Sequence, residues 1–184
     1  MRQKKVKKKS IGKELISWII YLAILFGAVY LIVQYVGERT TVSGESMYPS
    51  LSDGDSLIVD KISYRFVDPD RYDVVVFPFQ YQEGTFYIKR VIGLPGETVQ
   101  IMEGKVYING KELNDPYGYE AIRNPGLASN PITLRQDEYF VLGDNRNNSA
   151  DSREPSVGTI SREDIIGRAI FRIWPFDSIG LVAS

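Results

Sequence analysis

The sequence predicts a mainly β protein of antiparallel sheets, preceded by one N-terminal transmembrane helix. Three observations lead to this prediction: one long uncharged apolar run near the start, short strand-like runs throughout the rest, and turn residues between those runs. The chain has 184 residues, of which 43% are hydrophobic and 24% are charged, as is usual for a folded protein. Its length suits one domain with an appendage.

The apolar run covers residues 15–33, which contain no charged side chain. As a helix the run would be about 28 Å long, close to the roughly 30 Å core of a bilayer. Trp18 lies near its basic end, and Tyr30 and Tyr35 lie near the other, where aromatic residues meet membrane interfaces. We therefore expect a transmembrane anchor helix over residues 14–36. The alternatives are a buried core helix and a cleaved secretory signal, whose apolar region is usually shorter.

The distribution of charge predicts how this helix is oriented. Seven basic residues precede the first acidic residue, Glu14, whereas the chain from Glu14 onward has 15 basic and 23 acidic residues. The positive-inside rule therefore places a basic tail, residues 1–13, in the cytoplasm and residues 37–184 outside it. This predicts a single-pass protein of the cell membrane, in contact with membrane lipid. The acidic remainder argues against a nucleic-acid partner.

Residues 37–184 are expected to form the extracytoplasmic β domain. Two dipeptides predict tight hairpin turns between its strands, Glu103-Gly104 and Asn109-Gly110, the latter of type I′. The predicted strands are residues 56–59, 74–77, 85–92, 98–102, 105–108, 139–142 and 168–174.

Two segments interrupt this β pattern. Residues 161–164 predict one short helical turn capped by Ser161. Residues 114–131 are rich in Asn, Pro and Gly and predict a long loop, with a small subdomain inserted in the main sheet as one interpretation.

The absence of two residue types limits the chemistry. The chain contains no cysteine and no histidine, so a disulfide, a thiol nucleophile, a Ser-His-Asp triad and a histidine metal site are excluded. Acyl transfer at neutral pH would need Lys, a carboxylate, Tyr or an amino terminus as its base. We expect no metal site and no cofactor.

The first segment that could take part in a reaction is residues 43–51. Ser46 lies there between a flexible Gly44 and a rigid Pro49. A short turn of this kind can expose a hydroxyl beside a backbone N–H that holds an oxyanion. The plain alternative is a surface loop that happens to contain serines.

The second segment is the predicted strand that contains Lys89. Alternation places Lys89 and Arg90 on opposite faces, so burial of either face draws one cation into apolar surroundings, unless it snorkels to the surface. At the ordinary lysine pKa of about 10.4, only about 1 in 2,500 lysines is neutral at pH 7. A pKa of about 8 would raise the neutral fraction to roughly 10%, at a cost near 3 kcal/mol.

The third segment, residues 141–153, follows another predicted strand. Its Asp144, Arg146, Asp151 and Arg153 are expected to form ion pairs that hold the loop. A polar turn is the plain alternative, and a calcium loop is disfavoured because the EF-hand spacing is absent.

In this order, the segments resemble a known family: the bacterial type I signal peptidases, which are membrane-anchored Ser-Lys proteases that remove signal peptides. The resemblance covers nearly the whole chain and is closest to the short, single-anchor members of Gram-positive bacteria. The matching blocks are residues 44–51, 54–55 with the strand that follows, 71–77, 87–96 and 143–153.

The resemblance implies a role for each matched residue. Ser46 corresponds to the nucleophile, Lys89 to the general base, and Ser149 to the residue that hydrogen-bonds and orients that base. Asp151 and Arg153 resemble a supporting ion pair. Two further supporting residues in these blocks are Met47 and Arg90.

The sequence departs from the family pattern at three positions. Many relatives carry a serine whose hydroxyl helps to hold the oxyanion where this chain has Gly44, so the backbone N–H of Ser46 is the expected donor. The family commonly has Gly at Tyr72 and Asp at Asn147, and both departures are expected to be local changes in a turn or loop.

The resemblance implies a membrane-anchored serine endopeptidase that removes signal peptides from secretory preproteins, with small residues at the first and third positions before the cut. Two alternatives are a soluble, DNA-binding Ser-Lys protease of the self-cleaving repressor type and a non-enzymatic anchored β-module. A separation of about 3 Å between the side chains of Ser46 and Lys89 predicts catalysis, whereas one beyond roughly 6 Å favours the binding module.

Overall fold

The computed structural model describes residues 11–35 and 37–183. Most of the predicted basic tail, residues 1–10, lies outside this description. The chain divides into two compact units between Gly37 and Glu38.

The first unit contains a single helix, α1, over Ile11–Tyr35. Its sequence has no proline, and its many Leu, Ile and Ala residues allow the helix to continue for 25 residues. Large apolar side chains between Leu15 and Val29 are exposed. Among the residues described, no helix combines the length and the hydropathy needed to cross a bilayer, so the predicted transmembrane helix is not confirmed.

The second unit is mainly β, as the sequence predicted, and its strands form two sheets. The larger sheet has the strand order β1-β2-β11-β3-β4-β9-β10, with β12 paired to β11, and the smaller has the order β7-β6-β5-β8. The strands are β1 (Gly37–Thr41), β2 (Ser56–Asp60), β3 (Val74–Pro78), β4 (Phe86–Gly93), β5 (Thr98–Met102), β6 (Lys105–Ile108), β7 (Lys111–Glu112), β8 (Ile132–Thr133), β9 (Glu138–Leu142), β10 (Ile160–Ser161), β11 (Gly167–Trp174) and β12 (Gly180–Leu181).

Strand β4 lies in the middle of the larger sheet and pairs antiparallel with β3 and β9. Its pairing with β3 starts at Phe86, whereas its pairing with β9 starts only at Arg90. The first residues of β4 are therefore bonded to a strand on one side only.

Buried apolar side chains cover both faces of the larger sheet. On β3, Val74 and Val76 belong to one hydrophobic cluster, while Val75 and Phe77 belong to another. A third cluster packs the smaller sheet against the ends of β4 and β9. Strand β4 is therefore buried from Ile88 to Gly93, whereas Phe86 at its start is exposed and Tyr87 is half-buried.

All seven predicted strands are present. The turn predicted at Asn109-Gly110 leads into β7, and the prediction missed β1, β8, β10 and β12, of which the last three have only two residues each. Asn109 and Gly110 have φ angles of 51° and 76°, as the predicted type I′ turn requires. Residues 114–131 connect β7 to β8 of the smaller sheet and contain one 3₁₀ turn, Gly126–Ser129.

The predicted capped helical turn is half correct. A 3₁₀ turn does form over Arg162–Asp164, but the side chain of Ser161 makes no capping hydrogen bond. Ser161 instead belongs to β10, where it pairs with Glu138. The cap prediction was wrong because a sequence pattern does not reveal that the residue is also needed by a strand.

Candidate active site

Ser46 lies in a tight turn that is held at both ends. On one side, the N–H of Gly44 donates to Oδ1 of Asp53 at 2.7 Å, with Gly44 at a φ of 86° that suits glycine. On the other, Met47 and Leu51 are buried in the cluster beneath β2 and β3. Met47, predicted as a supporting residue, thus anchors the turn from the position next to Ser46.

Lys89 reaches Ser46 from β4. Its Nζ donates to Oγ of Ser46 at 2.8 Å and to the carbonyl oxygen of Ile88 at 2.9 Å. Only 4% of Lys89 is exposed, so this lysine does not snorkel to the surface. This 2.8 Å distance between Nζ of Lys89 and Oγ of Ser46 matches the separation of about 3 Å that predicts catalysis. It is well below the roughly 6 Å that would favour a binding module.

Burial changes the protonation of Lys89. Loss of hydration lowers the pKa of its amine to about 8, although the nearby carboxylates of Asp151 and Asp144 act in the opposite direction. At that pKa, roughly 10% of the amine is neutral at pH 7. The shift corresponds to a cost on the order of 3 kcal/mol for holding the charged amine there.

The loop after β9 packs directly against the turn of Ser46. The N–H of Asn145 donates to the carbonyl oxygen of Ser46 at 3.1 Å, and the side-chain amide of Asn145 donates to the carbonyl oxygen of Glu45 at 3.1 Å. Sequence reasoning did not assign Asn145 a role, although it lies inside the matched block 143–153. Its contacts hold the carbonyl groups of the two peptide bonds that flank Ser46.

Gly143 allows this close approach. A Cβ at Gly143 would lie 2.4 Å from the carbonyl oxygen of Ser46 and 2.3 Å from Oγ of Ser149. Since real Cβ atoms do not approach other atoms so closely, any side chain here would push the loop away from Ser46.

The predicted ion pair of Asp151 and Arg153 is present. Both residues are buried, and Nε and Nη2 of Arg153 donate to Oδ1 and Oδ2 of Asp151 at 2.7 and 2.8 Å. Oδ2 of Asp151 also accepts the N–H of Gly143 at 3.0 Å. The ion pair therefore holds the backbone of Gly143, which lies beside Ser46.

The structure does not form the hydrogen bond predicted between Ser149 and Lys89. Oγ of Ser149 is buried but has no hydrogen-bond partner within the described part of the chain. The two hydrogen bonds of the Lys89 amine go to Ser46 and Ile88 instead. Ser149 is nevertheless close to the site, because its Oγ packs against Gly143.

Arg90 is fully buried. Its Nε and Nη2 donate to Oδ1 and Oδ2 of Asp144 at 2.8 and 2.7 Å, and its Nη1 donates to the carbonyl oxygens of Tyr72 and Ala183. Alternation predicted that one of Lys89 and Arg90 would be drawn into the interior, whereas the fold buries both. The expected ion pair of Asp144 therefore forms across to β4 rather than within its own loop.

A cleft of about 490 Å³ opens in front of Ser46 and Lys89. One wall is formed by residues 40–43, at the end of β1 and just after it, and the other by residues 84–89, at the start of β4. Val42, Met47 and Ile88 give the cleft an apolar floor. Within the described residues, no group of three or more His, Cys, Asp or Glu side chains could hold a metal ion.

A mainly β fold that brings a serine hydroxyl against a buried lysine amine defines a class of serine endopeptidases. The sequence matches the family described as signal peptidase, peptidase S26, over residues 15–174. The chain belongs to this family and is a type I signal peptidase. This membership decides against the repressor-type protease and the non-enzymatic module.

Named relatives agree with this assignment. The chain is 42% identical over 153 residues to probable signal peptidase I-2 of Synechocystis, covering 80% of this chain and 68% of that protein. It is 44% identical to signal peptidase I of Leptolyngbya laminosa over 79% of this chain and 73% of that protein. It is 34% identical to signal peptidase IB of Staphylococcus aureus over 89% of this chain and 92% of that protein.

A solved structure is also similar. The crystal structure of a signal peptidase I from Enterococcus faecalis has 32% sequence identity to the chain and matches 55% of this chain and 97% of that one, with a TM-score of 0.45.

We expect Gly143→Ala to abolish most preprotein cleavage, because the new methyl group would overlap the carbonyl oxygen of Ser46. Gly180→Ala is the matched control, since a Cβ there has nothing within 4 Å. Cleavage rates of the two folded variants would be compared with wild type. Near-normal cleavage by Gly143→Ala would contradict the close approach of the loop to Ser46.

Proposed function

We propose that the chain removes N-terminal signal peptides from secretory preproteins by means of a Ser46–Lys89 dyad. The observation that carries this proposal is the 2.8 Å contact between Nζ of Lys89 and Oγ of Ser46, made by a lysine that is 96% buried. Because the chain contains no histidine, this lysine is the basic group nearest to the serine that could act as its base.

In this mechanism, the neutral amine of Lys89 takes the proton of the Ser46 hydroxyl as its oxygen attacks the scissile carbonyl carbon. The ammonium then donates that proton to the leaving amine, and the peptide bond breaks to give an acyl-enzyme. Lys89, neutral again, takes a proton from water as the water oxygen attacks the ester carbon, and the ammonium then donates that proton to Oγ of Ser46 as the ester bond breaks and the signal peptide leaves. The same amine thus acts as base and acid in both halves of the reaction.

The oxyanion of the tetrahedral intermediate is stabilised by the backbone N–H of Ser46. Among the described residues, this N–H donates to no backbone carbonyl, so it is free to face a substrate. The carbonyl of the same residue is held by Asn145, which fixes the orientation of the turn.

The substrate binds as an extended strand in the cleft. The start of β4 has one unpaired edge there, and β1 is the terminal strand of the larger sheet, so both walls offer backbone groups to a peptide. The apolar floor of Val42, Met47 and Ile88 suits small uncharged side chains before the cut. This agrees with the small residues that the resemblance implies at the first and third positions.

We also propose that residues 14–36 anchor the enzyme in the cell membrane, with residues 1–13 in the cytoplasm and residues 37–184 outside as the catalytic domain. Support comes from the uncharged run of residues 15–33 and the basic residues before it. A preprotein held by its own apolar segment would share one surface with the anchored enzyme, which raises their effective concentration.

The dyad predicts that Ser46→Ala and Lys89→Ala each lower preprotein cleavage by at least about a thousandfold, because each removes one of the two reacting groups. Lys105→Ala is the matched control, since the exposed Lys105 pairs only with Glu112 on the surface. Purified full-length proteins would be assayed in lipid, on a preprotein with Ala before the cut and on one with Trp there. Substantial cleavage by Lys89→Ala would refute Lys89 as the base, and cleavage of the Trp substrate would refute the preference for small residues.

The lowered pKa of Lys89 predicts the pH dependence of the reaction. Only the neutral amine accepts a proton, and a pKa of about 8 leaves it mostly charged below pH 8 and mostly neutral above it. We therefore expect kcat/KM to rise with pH and level off above an apparent pKa near 8. Incubation at each pH followed by assay at pH 9 would separate titration from denaturation, and a profile without a rise between pH 6 and 9 would contradict this assignment.

The anchor predicts that full-length protein stays with the membrane pellet during alkaline carbonate extraction. Leu22→Arg with Leu25→Arg should release it, because two charges in the apolar run oppose insertion. Leu181→Arg, at an exposed position of β12, is the control and should remain in the pellet. Release of the wild-type protein by carbonate would exclude a spanning anchor.

A further inference from the structure

Residues 115–119, hereafter the DPYGY segment, lie in the long connection between β7 and β8. None of the matched family blocks includes them. The segment nevertheless touches the loop after β9, the buried arginine of β4 and the turn of Ser46, through a different residue in each case.

Asp115 makes the contact with the loop after β9. One of its carboxylate oxygens accepts the N–H of Tyr117 at 3.1 Å, and the other lies 2.5 Å from Nη2 of Arg146. The side chains of Asp115 and Arg146 are only 10% and 4% exposed. Nε of Arg146 in turn donates to the carbonyl oxygen of Gly143 at 3.0 Å, so Asp115 balances a buried cation that holds Gly143 in place.

Tyr117 makes the contact with β4. Its ring centre lies 3.6 Å from Cζ of Arg90, over the guanidinium that pairs with Asp144. Tyr119 adds a backbone contact, since its N–H donates to the carbonyl oxygen of Asp144 at 2.9 Å. Both partners of the buried ion pair are therefore held by the segment.

Tyr119 also reaches the turn of the nucleophile. Its ring packs edge to face against the ring of Tyr48, which lies two residues after Ser46. The two ring centres are 5.4 Å apart. Gly118, between the two tyrosines, leaves room for the guanidinium of Arg146, because a Cβ there would lie 3.0 Å from Nη1.

Tyr72 holds the segment from its other side. Its hydroxyl donates to the carbonyl oxygen of Asn114 at 2.7 Å, and its ring lies 5.4 Å from that of Tyr117. Its backbone has a φ of 75°, which is unfavourable for a residue with a side chain. A glycine would adopt this backbone more easily, so the side chain offsets the unfavourable backbone by docking the segment.

We propose that the DPYGY segment is a positioning element for the Ser46–Lys89 pair, with Asp115 and Tyr117 as positioning residues. The inference rests on the proposed dyad. Gly143 and Asn145 contact the Ser46 backbone, and Arg90 is the chain neighbour of Lys89, so the segment braces the supports of both reacting groups. Because a displacement of about 1 Å costs a reaction roughly a hundredfold, such supports act on kcat.

The test compares kcat and KM of full-length variants on a preprotein. Each rate is divided by the fraction of the enzyme that is folded. We expect Tyr117→Leu and Asp115→Asn each to lower kcat at least about tenfold with KM changed less than about twofold. Tyr117→Phe keeps the ring over Arg90 and should retain wild-type kcat. The controls are Tyr107→Leu in the smaller sheet and Asp137→Asn, whose exposed side chain pairs with Arg135 at the surface, and both should leave the two constants unchanged.

A purely structural role would lower the unfolding temperature of Tyr117→Leu and Asp115→Asn while leaving the kcat of the folded protein as in wild type. That result, or a rise in KM alone, would overturn the inference. If one variant does not fold, the other decides. Loss of activity in Ser46→Ala and Lys89→Ala with normal kcat in both segment variants would refute only the positioning role, whereas activity in the dyad variants would refute the dyad itself.

Discussion

The site depends on one constraint: a lysine amine must be removed from water and still find hydrogen-bond partners. A lone ammonium in such a place would be held at a cost on the order of 3 kcal/mol, and Lys89 meets the constraint by lowering its pKa and bonding to Ser46 and Ile88. A mid-sheet strand provides the burial, because apolar clusters cover both faces. The carboxylates of Asp151 and Asp144 keep the pKa from falling further, so the amine still takes up a proton near neutral pH.

The same strand places a second cation beside the first. Arg90 is fully buried, and the fold surrounds its guanidinium with acceptors, namely both carboxylate oxygens of Asp144 and the carbonyl oxygens of Tyr72 and Ala183. Its bidentate pair with Asp144 joins β4 to the loop after β9, and the loss of one partner from such a buried pair typically costs about 3–5 kcal/mol. The two neighbouring side chains thus differ: burial lowers the pKa of Lys89, and Arg90 fixes the loop that contacts the backbone of Ser46.

Much of the fold and the site was predictable from local patterns. The alternation along the strands and the glycine-containing hairpins gave most of the strands, and the resemblance to a known family singled out Ser46 and Lys89, whose side chains are in contact in the structure. The partners of individual polar side chains were less predictable. Asp144 pairs with Arg90 on another strand, Ser149 has no hydrogen bond to Lys89, and Ser161 serves a strand instead of capping a turn. Each error concerns a polar group with several possible partners, and only the packing of distant segments selects among them.

The sequence by itself determined the class of fold and the absence of histidine and cysteine chemistry, and it singled out Ser46 and Lys89 as the candidates for the proposed dyad. These follow from residue type, local period and the order of blocks, all of which can be read along the chain. The tertiary structure alone decided that β4 is buried on both faces from Ile88 onward, that Asn145 and Gly143 fix the Ser46 backbone, and that residues 115–119 reach the site. Such contacts join segments separated by tens of residues, and their distances depend on how the two sheets pack, which no local pattern specifies.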